Sequence, residues 1–216
     1  MKNATTYFRK LPASLDEHIS QAPMWRYIFL CVIIASLFTL VTYRGFGFDN
    51  QIEHLPIILR AMDSGYLVND FFTNASDGAI ARSFYAHVVG FLAGSEENLP
   101  FVFLLLTLLT NMALTIHSFL AGRFLYRGSS RKGILTAILV CAVLTPLAGT
   151  RPSLLSTYLI PDPLALAFLT GGFYLLLQKK LIAGFVVCGA GSLFHPLLGL
   201  EVCGLFFLGY FLTILI

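Results

Sequence analysis

Between Gly45 and Phe72 the chain reads GFGFDNQIEHLPIILRAMDSGYLVNDFF, and most of its capacity for chemistry lies there. Asp49, Glu53, Asp63 and Asp70 alternate with His54 and Arg60, and Asp77 and Arg82 follow closely. A carboxylate in such company can act as a general base or ligate a divalent cation, while arginines clamp a phosphate. The same groups also make ordinary ion pairs on a solvated loop. Their position directly after an apolar run, interleaved with aromatic residues, favours a site where water meets lipid.

The chain that must position this loop is apolar. Its 216 residues are 57% hydrophobic and 12% charged, with a mean hydropathy of +0.80. Soluble domains carry roughly twice that charge. Long windows without charge predict an all-α, polytopic transmembrane bundle. Six windows qualify: 26–43, 99–121, 133–149, 161–177, 181–195 and 197–216. Residues 1–25 then form a cytoplasmic segment, and 26–216 a single transmembrane domain whose extracytoplasmic loop is 44–98. Windows 161–177 and 181–195 are short against the roughly 20 residues of a span. Pro161-Asp162-Pro163 suggests a longer, broken helix beginning near Ser153. The apolar run reaching Ile216 suggests a fragment or truncated product of something larger.

Basic residues orient the spans. Lys2, Arg9, Lys10 and Arg26 precede the first; Arg123, Arg127, Arg131 and Lys132 join the second to the third; Lys179 and Lys180 join the fourth to the fifth. The loop 44–98 carries three arginines against seven acids. The positive-inside rule puts the N-terminus in the cytoplasm and the acidic loop outside. Topology thus accounts for the basic residues, and nothing points to nucleic acid. Cys31, Cys141, Cys188 and Cys203 all fall in apolar windows and read as small buried hydrophobes. The histidines have no metal-ligand spacing, and His117 is expected to hydrogen-bond within the bundle.

Within the loop, Ile52, Leu55, Ile58, Leu59 and Met62 recur at helical spacing. This predicts a surface helix with its apolar face down, Asp49, Glu53 and Arg60 on the opposite side and Asn50 near His54. Pro56 should start or kink it. Asp63-Ser64-Gly65 reads as a stop and turn, residues 66–72 return toward the membrane, and a second amphipathic piece spans Ile80 to Leu92. Arg151 could hold a lipid phosphate or snorkel to headgroups. Asp162 at the membrane boundary needs a partner, for which Arg151 is available, or it caps the fourth span. His195 ends the fifth span, with Glu201 close enough to pair with it.

Taken together, Asp49-Asn50-Gln51-x-x-His54-Leu55-Pro56, Arg60-x-x-Asp63, Tyr66-Leu67-x-x-Asp70-Phe71-Phe72 and the later Phe194-His195-Pro196-Leu197-x-Gly199-Leu200 carry a resemblance. A span followed by a loop with an early Asp and interface helices resembles the start of GT-C fold glycosyltransferases. The motifs are more closely similar to a bacterial family of GT-C-like membrane proteins. The resemblance implies a bacterial inner-membrane protein that transfers a sugar, with inversion, from a polyprenyl-phosphate donor at the outer face. It also implies that Asp49 is the acid or base. Charge logic adds Glu53 and His54, to orient the acceptor or hold a divalent cation. The same logic adds Arg60, Asp63, Asp70, Arg82, Arg151 and Asp162 for the substrate, the arginines neutralising the leaving phosphate.

Two other classes compete. A transporter or flippase-like carrier would explain a broken helix with an intramembrane Asp. A non-catalytic membrane partner subunit would explain the small number of spans. Loss of activity in Asp49→Asn separates the transferase from both.

Overall fold

A computed structural model describes residues 23–75, 82–143 and 155–215, and among these all regular structure is helical. Arg151, Asp77, Cys141 (its side chain) and the basic residues before Pro23 lie outside what is described. Helix α1 is Met24–Thr42, α2 Gln51–Met62, α3 Phe71–Ala75 and α4 Ser83–Ala93. A 3-10 turn at Glu96–Asn98 leads into α5, Leu99–Leu125, followed by α6, Ser130–Val143. Then come α7, Pro161–Leu177, α8, Leu181–Phe194, and α9, Pro196–Leu215.

The boundaries follow local chemistry. Proline opens α5, α7 and α9, where its missing N–H leaves no helical bond unmade. Gly94 ends α4 in the left-handed conformation (φ +64°) that suits a glycine cap. Pro56 neither starts nor breaks α2, which runs through it. The long broken helix expected from Ser153 is not found: residues 155–160 are non-helical and the helix starts at Pro161.

Two stretches, Met24–Thr42 and Glu96–Leu125, are helices long and apolar enough to cross a membrane. Helices α4, α7 and α8 are apolar but shorter. Large apolar side chains face outward along α1, α8 and α9, among them Val41, Ile182 and Phe207. Such a surface is far more apolar than a monomer in water normally shows.

Contacts fix the helix directions. Tyr27 stacks on Phe119 and Thr39 meets Asn111, so α1 and α5 are antiparallel. Helices α7 and α8 form an antiparallel hairpin packed through small residues. A Cβ on Gly172 would meet the Gly184 carbonyl at 2.9 Å, and one on Gly191 would meet the Ala165 carbonyl at 3.0 Å. Only glycine permits so close an approach.

Acidic residues gather at one end of this bundle, together with Arg44, Arg60 and Arg82, and the opposite end is basic. The basic end carries Arg26, Arg123, Arg127, Arg131, Lys132, Lys179 and Lys180. The other carries Asp49, Glu53, Asp63, Asp70, Glu96, Glu97 and Asp162. At the acidic end α2 and α4 lie over the main core, where Ile58, Tyr85 and Val89 pack with Leu99, Phe103, Leu159 and Phe194.

Candidate functional site

The acidic end is built around a non-helical strap, residues 155–160. Its anchor is Asn111, fully buried on α5, whose amide donates to Thr39 Oγ1 at 2.9 Å and to the Ser156 carbonyl at 2.8 Å. Ser156 N–H donates back to Asn111 Oδ1 at 2.8 Å. One side chain thereby ties α1, α5 and the strap together. Arg44 N–H donates to the Thr157 carbonyl at 2.9 Å, which joins the strap to the start of the 44–50 loop. Nothing in the sequence marked Asn111 out, because its partners are remote in the chain.

On this frame Tyr158 Oη donates to Asp49 Oδ2 at 3.0 Å. Asp49 is exposed and has φ +52°, a left-handed conformation that Asp tolerates better than most residues. Gln51 Oε1 accepts from the backbone N–H groups of Gly47 and Phe48, at 2.8 and 3.2 Å, which fixes the tight turn before it.

Helix α2 turns most of its expected apolar face inward: Ile58 is buried, and Leu55, Leu59 and Met62 pack against the core. Its buried face is Gln51, His54 and Ile58, whereas Ile52 is 62% exposed. His54 therefore points into the protein, with its ring 5.6 Å from that of Tyr85 in an edge-on contact. Burial, and then the charges of Arg82 and His195, lower the imidazole from 6.5 to about 4. Desolvation, with Tyr43 nearby, raises the Tyr85 phenol well above its usual value. Four polar atoms gather here with no hydrogen-bond partner among the described residues: Tyr43 Oη, Gln51 Nε2, His54 Nδ1 and Tyr85 Oη. Buried polar groups are normally satisfied, so these four retain capacity for a further hydrogen bond.

Beside this cluster, His195 Nε2 and Asp162 Oδ1 are 3.2 Å apart. Asp162 lies in the first turn of α7, where its charge also favours the helix N-terminus. His195 sits at the break between α8 and α9, and its Nδ1 accepts from Leu198 N–H at 3.2 Å. The sequence offers Arg151 to Asp162 and Glu201 to His195, whereas the structure pairs Asp162 with His195.

The other expected site residues divide. Arg82 reaches Glu53 at 3.5 Å across the exposed surface between α2 and α4. Arg60 donates to the Tyr66 carbonyl at 3.0 Å and to Asn74 Oδ1 at 3.4 Å, bracing the 63–75 turn. Asp63 accepts from Gly65 N–H and Asp70 from Thr73, so both act as turn acids. His117 bonds the Ala167 carbonyl at 3.0 Å, within the bundle as expected. Cys31 and Cys188 are buried, but Cys203 is exposed. Among the described residues no three His, Cys, Asp or Glu side chains form a set that could hold a metal ion.

No family model, curated protein or solved structure matches this chain.

Proposed function

We propose that the chain is a multi-pass membrane protein of GT-C type, which transfers a sugar from a polyprenyl-phosphate donor at its acidic end. In this reading the six helices α1, α5, α6, α7, α8 and α9 cross a bacterial inner membrane. The N-terminus and the basic end face the cytoplasm. Helices α2 and α4 lie at the outer boundary, half in lipid and half in water.

The observation that carries the reading is the exposed Asp49 carboxylate, which Tyr158 holds and which lies two residues before the buried Gln51. Tyr158 occupies one carboxylate oxygen, which leaves the other free to take a proton. The acceptor hydroxyl gives its proton to Asp49 as its oxygen attacks the anomeric carbon. The bond from that carbon to the donor phosphate breaks, and the phosphate leaves with the electron pair. Arg82, and Arg151 from the preceding segment, stabilise that charge. The unpartnered groups of Tyr43, Gln51, His54 and Tyr85 offer hydrogen bonds to sugar hydroxyls.

Native mass spectrometry from mild detergent tests donor binding. A polyprenyl-phosphate adduct on the wild type, weakened in Arg82→Ala and unchanged in Arg127→Ala at the opposite end, supports the reading. A wild type that carries only bulk phospholipid contradicts it.

One observation favours a second reading, a carrier. The Asp162–His195 pair, its aspartate buried and its histidine half-buried, joins the start of α7 to the α8–α9 break, and discontinuous helix ends with paired ionisable groups also build transport sites. Transport sensitive to Asp162→Asn and indifferent to Asp49→Asn would select it.

A further inference from the structure

The basic end of the bundle, opposite the chemistry proposed above, contains a cavity. A pocket of about 390 Å³ lies between the C-terminal ends of α5 and α7, lined by Arg123, Arg127, Tyr174 and Gln178. Arg123 is placed by two contacts: its Nε donates to the Gly128 carbonyl at 3.1 Å, and its guanidinium reaches the Met24 sulfur on α1. Arg127 stands on a tight turn held by Gly128 N–H to Arg123 carbonyl and Ser129 N–H to Tyr126 carbonyl, at 2.8 and 3.2 Å. Among the described residues no acid approaches these two guanidinium groups within salt-bridge distance.

The pocket opens onto a groove. A second cavity, of about 450 Å³, shares Leu120 and Tyr174 with the first and continues between α5, α7 and α8. Its remaining lining includes Ala113, Gly171 and Val187, and its polar contribution is limited to His117 and the Tyr174 phenol. The His117 ring is already bonded to the Ala167 carbonyl. A cationic chamber running into an apolar groove has the shape of one kind of ligand: a phosphate headgroup with a hydrocarbon tail.

We infer that this composite cavity binds an anionic phospholipid, its phosphate between Arg123 and Arg127 and an acyl chain along the α5–α7 groove. Charge complementarity selects the headgroup, because basic pockets at the cytoplasmic ends of helices attract anionic lipid. The Gln178 amide donates to the Tyr174 hydroxyl, which leaves the Tyr174 O–H to donate to a phosphate oxygen. Lipid bound here would lock α7 to α5 at the end opposite Asp162. The inference rests on the membrane reading above but not on the sugar chemistry.

The test uses the full chain in nanodiscs of equal phosphatidylglycerol and phosphatidylethanolamine, released and weighed by native mass spectrometry. The wild type should retain phosphatidylglycerol preferentially, and each arginine removed should reduce that preference by about fivefold. Thermal unfolding in neutral detergent shows whether Arg123→Ala/Arg127→Ala folds. If it does not, Arg127→Ala alone serves, because the exposed Arg127 makes no side-chain hydrogen bond among the described residues. A phosphatidylglycerol preference undiminished in the arginine variants overturns the inference, as does a wild type with no preference. Equal competition by glycerol phosphate would overturn the role of the groove. Failure of the wild type to enter nanodiscs would instead strike the membrane reading itself.

Discussion

Asp162, in the first turn of α7, and His195, at the end of α8, approach to 3.2 Å and close the acidic end of the α7–α8 hairpin. Their side chains are 9% and 28% exposed, so water screens the pair only in part. Asp162→Asn or His195→Gln should each destabilise the protein by about 1.5–3 kcal/mol, the range for a hydrogen bond to a charged group. A double-mutant cycle read by unfolding in detergent should show clear coupling. Additive effects would mean that the two residues act separately.

His54 gives the protein a pH dependence of known sign. Its imidazole titrates at about 4 in the fold against 6.5 unfolded, so the unfolded chain binds more protons between those values. The contribution is fully present above pH 6.5 and is lost as pH falls toward 4. Unfolding temperatures measured from pH 7 down to pH 4 should drop less steeply in His54→Gln than in the wild type. Parallel curves would place His54 in a more open setting.

Tyr85→Phe removes a hydroxyl that has no partner among the described residues. Deleting an unsatisfied buried group is close to neutral or stabilising. The variant should therefore unfold within about 0.5 kcal/mol of wild type while losing affinity for a sugar-bearing ligand. A large loss of stability would show that the hydroxyl is engaged in the folded protein.

Gly172→Ala should force α7 and α8 apart, since the added carbon meets Cys188 Sγ and lies 2.9 Å from the Gly184 carbonyl. Overpacking of this kind costs about 1–3 kcal/mol. Gly189→Ala is the control on the same hairpin, because a Cβ there meets nothing within 4 Å. Equal unfolding free energies for the two variants would contradict the close packing.

Much of the helical layout was legible because hydropathy and proline are local signals. The window 161–177 coincides with α7, and 181–195 ends one residue past Phe194. The window 99–121 stops short because Arg123 interrupts the apolar run, whereas α5 continues through it to Leu125. The orientation of α2 was largely legible, since Leu55, Ile58, Leu59 and Met62 pack inward as their spacing predicts; what was not legible is that Ile52 faces out while Gln51 and His54 are buried. Their burial is decided by Tyr85 and the backbone of the 47–48 turn, which no period in the sequence encodes. Asp162, His195 and Asp49 stood out by residue type. Their partners did not, because Tyr158 and the α7–α8 closure are set by tertiary contact, as is the Asn111 anchor behind them.

The central claim is that Asp49 serves as the base in a sugar transfer. The direct test supplies a labelled polyprenyl-phosphate hexose to inverted and right-side-out vesicles that contain the wild type or Asp49→Asn. The account predicts transfer of label at the outer face, reduced by about 10² to 10⁴-fold in Asp49→Asn, the range for loss of a general base. Transfer that survives in Asp49→Asn at the wild-type rate would contradict it.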